Sequence, residues 1–482
     1  MGYLIRFFFV ILLSNTVGAQ ISFFNYYSDN GVDRGEGIVQ LEDSSYVITG
    51  SSSSFGDGSS QAFLMQIDSS GNFQWSNHYG GAGSESGRRV LYTKDFGFFI
   101  CGFTNSFGNG GFDNYLAKID ESGLLEWEKA IGGAGWEKVH DAALTRDTGV
   151  LMVGESSSNN TNKDIYIART DIGGDTLWTK TLGGSGDDYA SDVLQIDDST
   201  FIVVGRSYVE DSLLTKVWAT KIGDDGTIYW EKNFGNEANS WANGVAFSGG
   251  ELRIVGGSEG VNCIGVDPYT CIITKNGAFW GEYVSHDNGD SDLISIINFG
   301  PSQELYIPTS VANEWTFLEG RDIKIDRLSN SFSWVEEFYI GREYDDVSNQ
   351  IINTNDGSAI TVGYSTNVVS GGNDIYVCKI GPNNDYPDTE NGAVNNNVVT
   401  VIESENQSLE LKVYPNPSNG VVTIKSLYEN VEKIQVLDMG GGIVLEKFNM
   451  SSVDLSSFEN GYYILLLEIE DHVVSRKVVI QH

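Results

Sequence analysis

"LAKIDESGLLEWEKAIGGAG" occupies residues 116–135, and nearly the same phrase returns as "IARTDIGGDTLWTKTLGGSG" at 167–186. It is preceded by "LMQIDSSGNFQWSNHYGGAG" at 64–83 and followed by "ATKIGDDGTIYWEKNFG" at 219–235. A phrase repeated at fixed period specifies architecture before chemistry, because each copy needs its neighbours to bury an apolar face. Six tryptophans mark the period: Trp75, Trp127, Trp178, Trp230, Trp280 and Trp334, with gaps of 52, 51, 52, 50 and 54 residues. Phe23, which stands 52 residues before Trp75 and opens "FFNYYSDNG", adds a seventh start.

Four strand-like segments fill each unit. One follows the tryptophan ("WEKAIGG"), two form a hairpin ("VLYTKDFGFFICGFT", 90–104), and the fourth is "DNYLAKID" (113–120). Alternating apolar residues and β-branched or aromatic enrichment favour strands over helices. Turns at Asp68-Ser-Ser-Gly71, Asp120-Glu-Ser-Gly123 and Asp224-Asp-Gly226 precede the tryptophans. There Asp caps local amides and Gly accepts positive φ. Four short antiparallel strands every 50 residues or so predict an all-β, seven-bladed β-propeller over 20–381. A β-solenoid would need shorter rungs and capping ends.

The chain has 482 residues, with 29 Lys and Arg against 66 Asp and Glu, a formal net charge of -37. Such a surface repels nucleic acid and anionic lipid, so no nucleic-acid partner is expected. Gly reaches 57 residues, about 12% against a usual share of about 7%, which fits many tight turns. The N-terminus "MGYLIRFFFVILLSNTVGAQ" has Arg6, an apolar run at 7–13 and a small-residue site before Gln20. It reads as a signal peptide (1–19) cleaved between Ala19 and Gln20. The apolar run is too short to span a bilayer, and no transmembrane segment is expected. Four cysteines are too few for a disulfide framework. Cys101 and Cys378 read as core residues, and Cys263 and Cys271 could bridge one hairpin.

"GGSGDDYASDVLQIDDSTFIVVGRS" (183–207) together with "DNYLAKIDESGLLEWEKAIGG" resembles the SBBP-type seven-bladed propeller repeat of secreted bacterial proteins over about 22–381. That resemblance implies a fold and an extracellular setting without a single activity. An Asn-rich stretch at 382–408 reads as a flexible linker, and 409–482 alternates like a small β-sandwich. Tyr414, Pro415, Asn416 and Pro417, with Gly420, Asp454-Leu455, Gly461, Tyr462 and Lys477, resemble the C-terminal sorting domain of type IX secretion cargo from Bacteroidetes-like bacteria. The resemblance implies the type IX machinery as a partner, and a protein secreted or anchored on the outer cell surface. "DMGGG" (438–442) departs from the family in lacking the usual Gly-Arg, and the terminal Gln481-His482 in lacking a lysine.

Chemistry is harder to find. An acid recurs at one loop position: Asp33, Glu85, Glu137, Asp188, Asp290 and Asp346, with Ser240 in the fifth unit. The repeat points to a shared structural hydrogen bond. The alternative is an acidic rim for a cation, calcium being the metal considered. Asp113 with Lys118 also recurs, and the expectation is a latch from each base to an acid of the next blade. The tryptophans are expected to pack between blades. With no His-Glu-x-x-His, Gly-x-Ser-x-Gly or Cys–His spacing, no enzyme and no cofactor are predicted. The reading is a recognition module for polysaccharide or protein, with Trp315, Trp241, Tyr269 and Tyr208 as candidate contacts. An extracellular hydrolase or lyase, or a structural surface component, are the alternatives.

Overall fold

A computed structural model describes residues 23–28, 31–54, 60–157, 162–235, 238–259, 266–284, 345–366 and 372–381, with shorter segments between 293 and 340 and between 398 and 480. Every regular element among the described residues is a strand. The repeated phrase folds into a four-stranded antiparallel sheet in chain order, as in Glu85–Tyr92, Phe98–Thr104, Asp113–Ile119 and Leu125–Ile131. Sheets of the same order cover 33–79, 137–182, 189–234 and 239–284. With 85–131 they are the first five blades of a β-propeller. The closing blade takes Asp346–Asn353, Ala359–Ser365 and Asp374–Ile380 from the far end of the ring. Its outermost strand, Phe23–Ser28, comes from the beginning, with Phe23 opposite Lys379 and Tyr27 opposite Ile375.

Six sheets thus have the full four-strand set, which corrects the expectation of seven equal units. Between the fifth and closing blades, Leu305–Ala312, Arg321–Leu328 and Trp334–Ile340 pair in the usual order. At the inner position the described residues are two two-residue strands, Leu293–Ile294 and Asn298–Phe299, both paired with Leu305–Ala312. The recurring tryptophan counts outermost strands, and an outermost strand pairs whether or not the innermost is whole. The described part of the linker stretch, Val398–Thr400, runs parallel to Tyr26–Ser28.

Innermost strands of successive blades lie against one another and surround the axis. In all six complete blades this strand carries a one-residue bulge at the same place: Glu36, Arg88, His140, Ser191, Asn243 and Asn349. A bulge re-aims side chains, and here it turns polar groups toward the adjacent blade. The two middle strands are buried on both faces, as in Asp113–Ile119, where every residue is buried. Val47, Leu64, Val90, Ile100 and Ala117 fill the space between the first two blades. Phe99, Leu116, Val139 and Met152 do so between the second and third. Each such side chain contributes about 1.5–3 kcal/mol of burial.

The turn before each outermost strand, Asp-x-x-Gly in its first three copies, is an inter-blade socket. Gly71, Gly123, Gly174, Gly226 and Gly277 all have φ between 71° and 82°, which favours glycine. A Cβ on Gly123 would lie 3.1 Å from the Trp75 ring, and one on Gly226 3.2 Å from Trp178 and on Gly277 2.9 Å from Trp230, while one on Gly174 would run into Trp127. Phe23 takes the tryptophan's place beside Gly71. Polar atoms close the socket: Asn77 Nδ2 and Tyr79 OH donate to the Gly123 carbonyl at 3.0 and 2.8 Å. Asn25 and Tyr27 do the same to Gly71. Trp280 departs from the pattern, being 68% exposed. The side chain of Trp334 lies outside the described residues.

Residues 401–482 form a separate unit. One sheet contains Lys412–Tyr414, Val421–Lys425 and Ser452–Asp454, and the other Ile443–Phe448, Lys433–Leu437, Gly461–Ile469 and His472–Ile480. Val422, Ile424, Ile434, Val436, Leu465 and Leu467 share one core between them, as the alternation predicts.

Candidate functional site

The ring acids come first because they repeat. Asp33, Glu85, Glu137 and Asp346 each open the innermost strand of their blade, and Asp188 immediately precedes one. All five are buried, and so is Ser240. Asp290 lies outside the described residues. Four of the five are occupied by their own corners. Glu137 accepts from Ser156 Oγ at 2.6 Å and from the Gly133 amide at 2.7 Å. Glu85 accepts from Thr104 and Ser106 and from the Gly81 amide. Asp33 accepts from Ser52 and Ser54, and Asp188 from the amides of Gly184 and Tyr208. The Gly-Gly turn is thus folded around a carboxylate. Among the described residues no group of three or more His, Cys, Asp or Glu could hold a metal ion.

The residue after each ring acid is different in every blade: Arg34, Ser86, Lys138, Tyr189, Trp241 and Val347. Opposite them on the second strands stand Ser51, Phe103, Glu155, Arg206, Gly257 and Tyr364. Where the corner must be built the chain repeats itself, and one residue further on it does not. Three cations in this layer stack on aromatic rings. Arg34 lies 4.7 Å from the Tyr364 centroid and Arg206 lies 4.3 Å from that of Tyr189. Lys138 sits among Phe103, Phe112 and Trp136 at 5.0, 4.7 and 5.2 Å. Trp136 is 52% exposed. Burial pushes the Lys138 ammonium down from its usual value.

Beneath this layer the bulged residues tie blade to blade. Arg88 Nη1 donates to Glu36 at 2.7 Å. Arg89 pairs with Asp141, whose other oxygen accepts from the Val193 amide at 2.9 Å. Asp192 accepts from the Val245 amide at 2.7 Å and lies close enough to Asp141 for the two carboxylates to repel. Between the closing and first blades, Gln350 accepts from the Ile38 amide and Asn349 donates to the Gly35 carbonyl. Burial and the adjacent Asp141 carboxylate push Asp192 well above the usual carboxylate range. Burial also opposes the charge on Arg89, but the Asp141 and Asp192 carboxylates raise its pKa overall. His140 is pushed down to about 4 by burial. Its Nδ1 meets the Ala190 carbonyl at 2.9 Å, and its ring meets Tyr189 edge-on at 5.6 Å.

Several expectations change. The base of the recurring Asp–base pair reaches an acid of its own hairpin turn, not the next blade: Lys118 to Asp95, Arg169 to Asp147 and Lys379 to Asp356. Five residues along a strand separate the two side chains, and the hairpin turn lies nearer the base than the adjacent sheet. Tyr269 is a core residue whose hydroxyl donates to Glu282, so it is no surface contact. Trp241 and Tyr208 are half-buried near the variable layer. Trp315, Cys263, Ala19, Gln20, Pro415, Asn416, Pro417 and Gly420 lie outside the described residues. Cys271 is a buried free thiol, pushed up to about 12 by burial. Tyr414 ends one strand of the C-terminal unit, Gly461 and Tyr462 open another, and Lys477 sits in the last. Lys138, His140, Tyr189 and Arg206 were missed by sequence reasoning, although the residue beside each ring acid could have been read off the alignment of units.

The class of protein follows from the fold: an all-β propeller with a separate C-terminal β unit. Residues 412–481 match the secretion system C-terminal sorting domain family. That tail implies handling by the type IX secretion system and an outer-surface or secreted fate. No curated protein matches the chain. Among solved structures, it is similar to the Pan2 WD40 domain of Neurospora crassa at 13% identity, covering 72% of this chain and 89% of that one, with a TM-score of 0.45. It is also similar to a PL25 ulvan lyase at 11%, covering 74% and 95%, with a TM-score of 0.48. The propeller domain of the Trilobed protease from Pyrococcus furiosus is similar at 12%, covering 78% and 99%, with a TM-score of 0.41. Among the described residues no helix is long and apolar enough to cross a membrane.

Proposed function

We propose that the chain is an exported recognition module, displayed on the cell surface or released, which binds polysaccharide or protein on the propeller face beside the ring acids. The observation that carries this reading is the contrast between adjacent positions. The acids repeat and are consumed by their own corners, whereas the next layer varies and holds aromatic-stacked cations. Binding sites on rigid scaffolds sit on such variable positions. The proposal includes an SBBP-type origin in Bacteroidetes-like bacteria, a leader cleaved after Ala19, no catalysis and no cofactor. It also includes a seven-fold ring completed by the sheet between residues 293 and 340.

A catalytic reading has one specific support. His140, Tyr189 and Arg206 place a neutral imidazole, a phenol and a cation side by side, the groups that acid–base cleavage of a polymer needs. The test is a binding screen of the purified protein against polysaccharides and surface proteins, with product release measured in the same wells. Saturable binding without release supports the module, and turnover that is lost in His140→Ala overturns the non-catalytic reading.

A further inference from the structure

The geometry points to a binding site for an anionic polysaccharide, bearing carboxylate or sulfate groups, along an arc from the second to the fourth blade formed by Phe103, Trp136, Lys138, His140, Tyr189 and Arg206. This rests on the recognition reading and names its ligand class. On a chain of net charge -37, most cations should find carboxylates. Lys138 and Arg206 have no carboxylate within ion-pair distance among the described residues, and rings surround them instead. The nearest acid on the arc is already taken, since Glu155 pairs with Lys163 at 2.9 Å. Arg206 also keeps a buried Nε without a hydrogen-bond partner. An aromatic face holds a guanidinium or ammonium in place without neutralising it, so the charge stays available to an incoming anion.

The aromatic partners select sugar over other anions. Trp136 presents an exposed ring, and such rings are amphipathic surfaces that a pyranose can cover. The arc is continuous, because Lys138 sits over the Phe103 ring and His140, two residues on, meets Tyr189. Separated cations match a polymer that carries one charge per sugar or disaccharide. A nucleic acid, with a charge every few ångströms, would bring many unmatched phosphates against the acidic surface. At physiological salt that surface is screened beyond about 8 Å, so a sparsely charged chain reaches the cations with little opposition.

The experiment is titration calorimetry of the full chain with polygalacturonate, chondroitin sulfate and neutral dextran, at low and high salt. Variants are Lys138→Gln, Arg206→Gln and Trp136→Ala, with exposed Arg146→Gln at the opposite end of the third blade as control. Unfolding curves check that each variant folds. The expected result is binding of one or both charged polymers but not dextran, weakened on the order of tenfold by each variant of the arc. The salt dependence should become shallower on losing either cation. Polygalacturonate against chondroitin sulfate separates a carboxylate requirement from a sulfate one. Equal binding of dextran, or unchanged binding in all three variants, overturns the anionic site while leaving a recognition module. Failure of every polymer and every surface protein to bind overturns both.

Discussion

Arg89 is the residue whose loss should unsettle the ring most, and the loss should depend on pH. Its guanidinium is buried against Asp141, with the Asp192 carboxylate beside them. Arg89→Met keeps much of the volume and removes the charge. Two carboxylates then share a half-dry junction between the second, third and fourth blades. Breaking a buried pair from one side costs about 3–5 kcal/mol. An unfolding entropy of about 2.1 cal/mol/K per residue over roughly 360 residues converts about 4 kcal/mol into a Tm loss of ~5 °C near pH 7. Asp192 already stands above its ordinary value of about 3.9, and removing the cation raises it further. A carboxyl raised in the folded state costs stability above its unfolded pKa, and that cost vanishes once both states are protonated. The gap between variant and wild type should therefore shrink as pH falls from 7 toward 4. Tryptophan-fluorescence melts at the two pH values measure it. A loss of equal size at both, or none at pH 7, would refute the view that Arg89 acts by neutralising this junction.

Three further outcomes follow from the same geometry. Gly123→Ala must accept φ of 82° and meet the Trp75 ring, whereas Gly250→Ala has φ of 91° with open space around it. Each should lose the roughly 1 kcal/mol of a left-handed alanine, and denaturant melts should show a clearly larger loss at Gly123. His140 is pushed down to about 4 in the folded chain, against about 6.5 unfolded. The unfolded state therefore binds its proton first, and stability falls as pH drops through that window, by about 3 kcal/mol. His140→Gln should flatten that part of the stability–pH curve, and an unchanged curve would contradict the assignment. Finally, deleting 20–28 uncovers the edge of Asp374–Ile380, and size-exclusion chromatography should show self-association through that edge; a stable monomer would count against closure by Phe23–Ser28.

Periodicity made the blades legible because one socket recurs. The Asp-x-x-Gly turn and the tryptophan, or Phe23, are two halves of one contact between successive sheets, so the phrase that repeats in the sequence straddles two blades. For the same reason it was blind to the sixth unit, whose outermost strand is whole while the described residues of its innermost are two fragments. The ring acids were legible as structural because they repeat. The direction of Lys118 and Arg169 was not, since it depends on where a hairpin turn lies in space. The anion-binding arc was missed for a different reason. It is defined by failure to repeat, and its members, such as Lys138 and Tyr189, meet only through the bulges and the packing of adjacent blades.

The closing strand also sets an order of events. Phe23 leaves the ribosome first, yet its partner is Lys379, so the earliest strand made is the last to be paired. Loop closure over so long a separation is slow. Until residue 380 is present, the chain is an open arc with two unpaired edges, one at each end. Docking of Phe23–Ser28 on Asp374–Ile380 is therefore the step that turns an adhesive intermediate into an inert ring. Any pause before that point leaves both edges exposed, and a chaperone or a fast export step has the most to protect there.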